Sequence, residues 1–224
     1  MRDNALPNRI IANGYDRSAF RPDDDARASV RSDLGLGEGI FAVGSIARWH
    51  EHKDIPTLLR AVRIAADQCV PIRCLLVGRG LSQRDEELCG AIRAAECEEL
   101  VGGLGPRSDI SNLARAFDLH LLSSRSEAFP NVVAETMLSG TPNAVTDAGD
   151  AAAIVDDTGW VVPPASPQKL AQAIVEAYGE WLRKSSSWQR RRDAARQRIV
   201  ANYDFGKMAS AYAEIWHKIA AGAA

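Results

Sequence analysis

Short runs of apolar residues recur along this chain, separated by segments with helical periodicity. Most runs are apolar throughout, which is typical of parallel strands buried on both faces. Strands are predicted at 40–45, 72–77, 100–104, 118–122, 143–146 and 159–164. Helices are predicted at 25–34, 55–68, 83–97 and 110–116, and another begins at Pro130 and ends before Gly140. This alternation predicts an α/β fold, a doubly wound, Rossmann-like parallel sheet.

The last third of the chain is predicted to be helical, at 167–182, 188–203 and 205–221. A basic cluster in this region alternates with Asp193 and alanines, so we expect a solvated helix face and not a lipid or nucleic-acid patch. The cluster consists of Arg183, Lys184, Arg190, Arg191, Arg192, Arg196 and Arg198.

Composition removes several classes of function. The formal net charge is −2 and the pI about 6.1, so no general attraction to nucleic acid or to an anionic membrane is implied. No apolar run approaches ~18 residues, and the start lacks an apolar signal core, so we expect a cytoplasmic protein without a transmembrane helix. The four cysteines form no CxxC pair and have no histidine at zinc spacing, so no metal site is predicted.

The stretch 123–135 follows one predicted strand and leads into a helix, which is where open α/β sheets bind ligands. Pro130 suits the first helical position, because the amide it lacks would be unpaired there. The next amides, those of Asn131, Val132 and Val133, would then point out of the helix start and could receive a phosphate.

Two glutamates lie within this stretch, Glu127 in the turn and Glu135 in the helix. A carboxylate accepts hydrogen bonds from two neighbouring hydroxyls, which suits a sugar or a ribose. The alternative is ordinary capping and solvation, since carboxylates near a helix start complement its dipole.

Parallel strands end at one edge of a sheet, so the loops that follow them should converge there. Arg48 and Lys53 follow the first strand, and Arg107 the third, and cations of this kind can neutralise a diphosphate. A solvated loop is the alternative for Arg48 and Lys53. Gly78 begins a Gly-Arg-Gly turn that lacks the third glycine of a dinucleotide fingerprint, so on its own it indicates a plain strand-end turn.

The ordered set of motifs resembles a known family across nearly the whole chain. The segments that carry the resemblance are Ile11-Ala12-Asn13-Gly14-Tyr15-Asp16, Phe20-Arg21-Pro22, Val43-Gly44-Ser45-Ile46-Ala47-Arg48, Lys53-Asp54, Leu76-Val77-Gly78-Arg79-Gly80, Leu104-Gly105, Asp109, Glu127-Ala128-Phe129-Pro130-Asn131-Val132, Glu135, Ser139-Gly140-Thr141-Pro142, Thr146-Asp147-Ala148-Gly149 and Asp157-Thr158-Gly159-Trp160-Val161-Val162-Pro163-Pro164. They resemble the C-terminal, donor-nucleotide-binding half of a group 1, or family 4, retaining glycosyltransferase of GT-B architecture. The glutamate pair matches that family's E-x7-E motif.

The resemblance implies transfer of a sugar, with retention, from a nucleotide-diphospho-sugar, which is a substrate; no cofactor and no metal are implied. Arg48 and Lys53 would hold the donor diphosphate, Glu127 would orient hydroxyls of the transferred sugar, and Glu135 would bind the ribose. The remaining donor-binding residues implied are Gly78, Arg107 in the segment beside the nucleobase, Phe129, and Asn131, Val132 and Val133, whose amides would contact phosphate.

The resemblance also implies a domain organisation: an interdomain-type segment at 1–22, a Rossmann-like nucleotide-sugar-binding domain at 23–203 and a C-terminal helix at 204–224. The family's N-terminal acceptor domain has no counterpart in this sequence, so we expect a truncated gene, an expressed domain or half of a split enzyme, with the acceptor domain supplied in cis or in trans. Membrane contact, peripheral at the inner face, would arise only through the acceptor. The alternatives are a non-catalytic nucleotide-sugar-binding or interaction module, and part of a GT-B-type phosphorylase.

Overall fold

Six strands form a single parallel sheet in the computed structural model, which describes residues 10–183 and 186–220. They are β1 (Phe41–Ile46), β2 (Ile72–Val77), β3 (Val101–Gly105), β4 (Leu119–Leu122), β5 (Asn143–Thr146) and β6 (Trp160–Val162). The order across the sheet is β3-β2-β1-β4-β5-β6, and every neighbouring pair is parallel. The predicted α/β fold with a Rossmann-like parallel sheet is confirmed. The order reverses between β1 and β4, so a crevice opens between the ends of these strands.

Helices cover both faces of the sheet, as a doubly wound fold requires. They are α1 (Asp24–Asp33), α2 (Ile55–Asp67), α3 (Glu86–Ala94), α4 (Ile110–Ala116), α5 (Asn131–Leu138), α6 (Ala151–Val155), α7 (Pro167–Leu182), α8 (Ser186–Asn202) and α9 (Phe205–Ala220). Apolar residues of α2, α3 and α7 pack on one face, and those of α1, α4, α5, α6 and α8 pack mainly on the other. Phe41 and Ala42 of β1 join clusters on opposite faces because successive side chains alternate along a strand.

Two helices differ from the predicted ones. The predicted 83–97 helix is shorter, because the Asp85 carboxylate accepts from the Ser82 amide (2.6 Å) in a turn before α3, and Glu96 has φ +54° after it. Helix α6 was not predicted, since five residues carry too little periodicity to be detected. Residues 1–9 of the predicted segment 1–22, and residues 221–224 of the predicted C-terminal helix at 204–224, lie outside the described residues.

The basic cluster forms only part of the solvated helix face that the sequence predicted: Arg183 and Arg190 are exposed, but four other arginines have partners in the protein. Arg192 donates to the Gly140 carbonyl (2.9 Å), Arg196 to the carbonyl of Leu138 at the end of α5, and Arg198 to that of Ile154 in the last turn of α6 (2.7 Å). Arg191 forms a bidentate ion pair with Glu180. The first three of these cations satisfy carbonyls at helix ends and complement the helix dipoles, which attaches α8 to α5 and α6. Lys184 lies outside the described residues.

Candidate functional site

Two loops meet at the carboxyl-terminal edge of the sheet, one after β1 and one after β4. The first contains a turn of 3-10 helix (Glu51–Lys53) and ends at Asp54, whose φ of +44° turns the chain into α2. The second donates to the first at three points: Ser123 Oγ to the Lys53 carbonyl and the Arg125 amide to the His52 carbonyl, both at 2.7 Å, and Arg125 Nε to the Asp54 carboxylate at 2.8 Å. These bonds hold the two loops together across the crevice.

Lys53 and Glu127 form an ion pair across this crevice. Lys53 Nζ lies 2.5 Å from Glu127 Oε1, and the two side chains are 22% and 10% exposed. Ser124 Oγ donates to the same oxygen at 2.6 Å. A carboxylate and an ammonium that are this close and largely shielded from water interact more strongly than a surface pair would. The structure therefore brings together the residue that the resemblance gives to the donor diphosphate and the one that it gives to the transferred sugar.

Glycines allow neighbouring loops to approach these side chains. Gly78, at the end of β2, has φ +137°, and a Cβ there would lie 1.7 Å from the Ala47 carbonyl in the loop that carries Arg48. Gly149 has φ +54°, and a Cβ there would lie 2.2 Å from the Glu127 carbonyl oxygen. Neither position could accept a side chain without moving a predicted site loop. Arg48 itself is exposed in its loop, where a ligand can reach it.

The start of α5 differs in detail from the prediction. Pro130 has ψ +90° and stands just before the helix, so Asn131 is the first helical residue. The Val133 amide donates to the Pro130 carbonyl at 3.0 Å, so it is not free as predicted. The amides of Asn131 and Val132 are the ones left pointing out of the helix start.

Residues from the beginning of the described chain reach the same helix start. Asn13 Nδ2 and the Tyr15 hydroxyl both donate to Asn131 Oδ1, at 2.9 and 2.7 Å. The Tyr15 ring stacks on Phe129 with centroids 6.4 Å apart. Sequence reasoning did not assign Asn13 or Tyr15 to the site, because a hydrogen bond between residues 118 positions apart leaves no local signal.

Glu135 is half-buried on α5, and burial raises the pKa of its carboxyl group. Burial likewise raises the pKa of the Tyr15 hydroxyl, and the negative charge of Glu135 raises it further, so the two groups are close. No cation in residues 10–183 and 186–220 shifts the pKa of this half-buried carboxylate, which therefore lacks the solvation that an exposed one would have. Hydroxyl donors from a ligand would supply that missing stabilisation.

Arg107 lies apart from the ion pair. It follows β3, which is separated from β1 by β2 and so lies roughly 10 Å away across the sheet. Its guanidinium donates to both carboxylate oxygens of Asp109, at 2.8 and 2.7 Å, and this bond raises the pKa of Arg107. Arg107 therefore lines the outer part of the edge and does not enter the crevice with Lys53.

His120 is fully buried in β4, beneath the crevice. Its Nδ1 lies 2.6 Å from Asn143 Oδ1, and its Nε2 accepts from the Ile46 amide at the end of β1 (3.4 Å). This arrangement fits a neutral imidazole that donates from one nitrogen and accepts at the other. Burial, opposed by the hydrogen bond to Asn143 and aided by the charge of Lys53, lowers the pKa of His120 to about 4.

Because the pKa of His120 is lower in the folded chain than its ordinary 6.5, the unfolded chain binds more protons between these values. Its contribution to stability is therefore complete above about pH 6.5 and is lost as the pH falls towards about 4. Between pH 7 and pH 5, the free energy of unfolding should fall by about 2 kcal/mol more in the wild type than in His120→Gln. Urea titrations at both pH values measure this difference; equal losses would contradict a neutral His120.

Neither a metal site nor a membrane-spanning helix accompanies this crevice in the described part of the chain. No group of three or more His, Cys, Asp or Glu side chains in residues 10–183 and 186–220 is placed to hold a metal ion. None of the helices within those ranges is both long and apolar enough to cross a membrane.

Known proteins match both the sequence and the fold. A model of the family described as "Glycosyl transferases group 1" matches residues 37–180, which is more than half of the chain. The chain belongs to the group 1 glycosyltransferases. The resemblance predicted from the sequence, to the C-terminal type of domain in that family, is confirmed.

Individual relatives in this glycosyltransferase family agree. The D-inositol 3-phosphate glycosyltransferase of Rhodococcus erythropolis is 32% identical over 76% of this chain and 40% of its own length. The crystal structure of Anabaena HepE in complex with UDP-glucose is 27% identical, with a TM-score of 0.80, over 94% of this chain and 57% of that one. The C-terminal domain of the group 1 protein LpcC from Francisella tularensis shares the fold alone, at 19% identity and a TM-score of 0.68, over 85% of this chain and 99% of that one. The chain spans about half or less of the curated relatives it matches.

Proposed function

We propose that this chain is the donor-binding part of a retaining glycosyltransferase, which holds a nucleotide-diphospho-sugar in the crevice between β1 and β4. The observation that carries the proposal is the Lys53–Glu127 ion pair at the point where the strand order reverses, beside the start of α5. Ligands of open α/β sheets bind at this position. The HepE structure contains UDP-glucose, which supports a nucleotide-sugar as the ligand of the same fold.

Each part of the donor has a matching group at this edge. Lys53 has three N–H donors, so it can keep Glu127 and still donate to the diphosphate, which Arg48 approaches from the same loop. The amides of Asn131 and Val132 offer a second contact to phosphate. In this proposal Glu127 orients the sugar hydroxyls and the half-buried Glu135 binds the ribose.

Transfer would break the bond between C1 of the sugar and the diphosphate oxygen, and form a bond from C1 to the acceptor oxygen on the same face. The departing diphosphate takes the electron pair of the broken bond and the negative charge that goes with it, and the acceptor hydroxyl passes its proton to the same diphosphate oxygen. Lys53 and Arg48 would stabilise that charge as it develops, which lowers the barrier without any covalent step on the protein. The contribution of the chain is then positioning and electrostatic stabilisation.

The acceptor would be bound by a second domain, supplied in cis or in trans. Helix α9 supports this proposal, because it has no buried residue and exposes a row of large apolar side chains: Phe205, Tyr212, Trp216 and Ile219. An exposed apolar row of this kind marks an interaction surface. We place the enzyme in the cytoplasm, in contact with a membrane only if the acceptor is a lipid.

Calorimetric titration with UDP-glucose, GDP-glucose and ADP-glucose tests the donor site. We expect one of the three to bind, and Glu135→Ala to weaken it about tenfold or more, because a carboxylate that accepts from the ribose is lost. Glu98→Ala is the matched control, since Glu98 is exposed near the opposite edge of the sheet and should leave the affinity unchanged. Equal binding by wild type and Glu135→Ala would show that the site is assigned wrongly. Binding without transfer, when an acceptor domain is supplied, would indicate a non-catalytic module.

A further inference from the structure

A second cavity lies at the other edge of the sheet, near the start of β4. It encloses about 260 Å³ and is lined by Arg27, Phe117, Asp118, Trp181, Trp188, Gln189 and Arg192. Strand β4 has four residues, so this cavity and the Glu127 crevice are separated by roughly 13 Å of strand. The cavity is therefore distinct from the proposed donor site.

Positive charge exceeds negative charge around this cavity. Asp118 is its one acidic lining residue, and this carboxylate is already shared between Arg27 (2.5 Å) and Arg31 (2.9 Å). Arg192 uses its Nε on the Gly140 carbonyl, and no carboxylate in the described part of the chain pairs with its terminal nitrogens. Arg27 donates through Nη1 to the carbonyls of Arg115 and Phe117, at 2.5 and 2.8 Å, so Arg192 is the lining arginine whose terminal nitrogens are left for a ligand.

Burial lowers the pKa of Arg27 most; the charge of Asp118 opposes this effect, and the charges of Arg31 and Arg192 add to it. Like charges this close repel one another, and an anion placed among them would relieve the repulsion. Arginine is suited to this role because its planar fork donates to two oxygens of a phosphate at once.

The remaining walls of the cavity are aromatic. Trp181 stacks on Tyr178 and meets Phe41 edge to face, and Phe41 also lies beside Trp188, so these rings form a rigid group. Trp181 Nε1 donates to Asp118, which fixes its plane. A ligand with both an anionic end and a flat apolar body would contact the arginines and the rings together.

We infer that this cavity is a second ligand site, which binds a small phosphorylated compound with its phosphate at Arg192 and Arg27 and its apolar body against Trp181 and Trp188. Nothing in the proposed donor chemistry uses these residues. The larger open groove beside it, which Arg27 also lines, carries the carboxylates of Asp24 and Glu38 and does not favour an anion.

Phenyl phosphate is a suitable probe, since it has a phosphate and one ring. It should bind the 224-residue chain in calorimetry, more tightly than inorganic phosphate, and should change the tryptophan fluorescence. Arg192→Gln should weaken binding about tenfold or more, and Arg192→Lys, which keeps the charge but not the fork, should weaken it less. Thermal melts of both variants show whether the fold is kept, and Arg192→Lys decides the question if Arg192→Gln unfolds.

Two controls locate the probe. Arg63→Gln, a change on the exposed side of α2, should bind phenyl phosphate as the wild type does, and so should Arg48→Gln in the donor crevice. Loss of binding in Arg48→Gln but not in Arg192→Gln would place the probe in the donor crevice and overturn the inference. Wild-type affinity in both Arg192→Lys and a folded Arg192→Gln would also overturn it. So would wild-type affinity in Arg192→Lys where Arg192→Gln does not fold, or no saturable binding by the wild type.

Discussion

Replacing Asp118 by alanine should lower the free energy of unfolding by about 3–5 kcal/mol, which is a large part of the ~5–15 kcal/mol that stabilises a domain. The Asp118 side chain is 1% exposed and accepts four hydrogen bonds, from Arg27, Arg31, the Ala42 amide and Trp181. Its removal leaves two largely buried guanidinium groups, 20% and 12% exposed, without a counter-charge. Urea titration followed by circular dichroism measures the loss.

Asp67→Ala provides a matched control for that result. Asp67 also contacts an arginine at 2.5 Å, Arg63, but its side chain is 62% exposed, so the loss should stay below about 1 kcal/mol. Both carboxylates lie 2.5 Å from an arginine, so a larger loss of stability in Asp118→Ala than in Asp67→Ala would result from burial and not from a shorter bond. If Asp118→Ala costs no more than Asp67→Ala, the buried network does not hold α1 and α7 to the sheet.

Replacing Lys53 by methionine should weaken binding of the nucleoside diphosphate by roughly tenfold to a hundredfold, since a charged hydrogen bond to phosphate is lost. The same change should lower the free energy of unfolding by about 1–3 kcal/mol, because Glu127, which is only 10% exposed, keeps its charge and loses its cation. Calorimetry with the diphosphate, which has no sugar, reports on the phosphate contact alone.

The double variant Lys53→Met, Glu127→Gln distinguishes these two effects. Removing both charges should restore most of the stability, since no unpaired charge remains in the crevice. Binding of the diphosphate should stay weak, because the lysine is still absent. Recovery of binding together with stability would mean that Lys53 supports the fold and does not contact the phosphate.

The sheet and most helices could be predicted because their signals are local. The strand 72–77 and the helices 110–116 and 167–182 have the bounds predicted, since continuous apolar runs and helical periodicity show directly in the sequence. Parallel strands then place all the loops that follow them at one edge, which is why Lys53 and Glu127 could be assigned to a single crevice before the structure was known.

The polar contacts of the site could not be predicted, because they join residues far apart in the chain. His120 looks like one more residue of an apolar run, yet it accepts from β1 and pairs with Asn143. The interleaved aspartate and alanines assigned the arginines of α8 to solvent. The partners of Arg196 and Arg198 are carbonyls at the ends of α5 and α6, which carry no side-chain signal. Only the packed structure shows these partners.

A crystal structure of this chain with the nucleotide-diphospho-sugar that binds best in calorimetry tests the central claim most directly. The account predicts the diphosphate within hydrogen-bond distance of Lys53 Nζ and of the Asn131 or Val132 amide, with the sugar hydroxyls at Glu127 and the ribose at Glu135. A donor bound elsewhere, with the Lys53–Glu127 pair untouched, would contradict it.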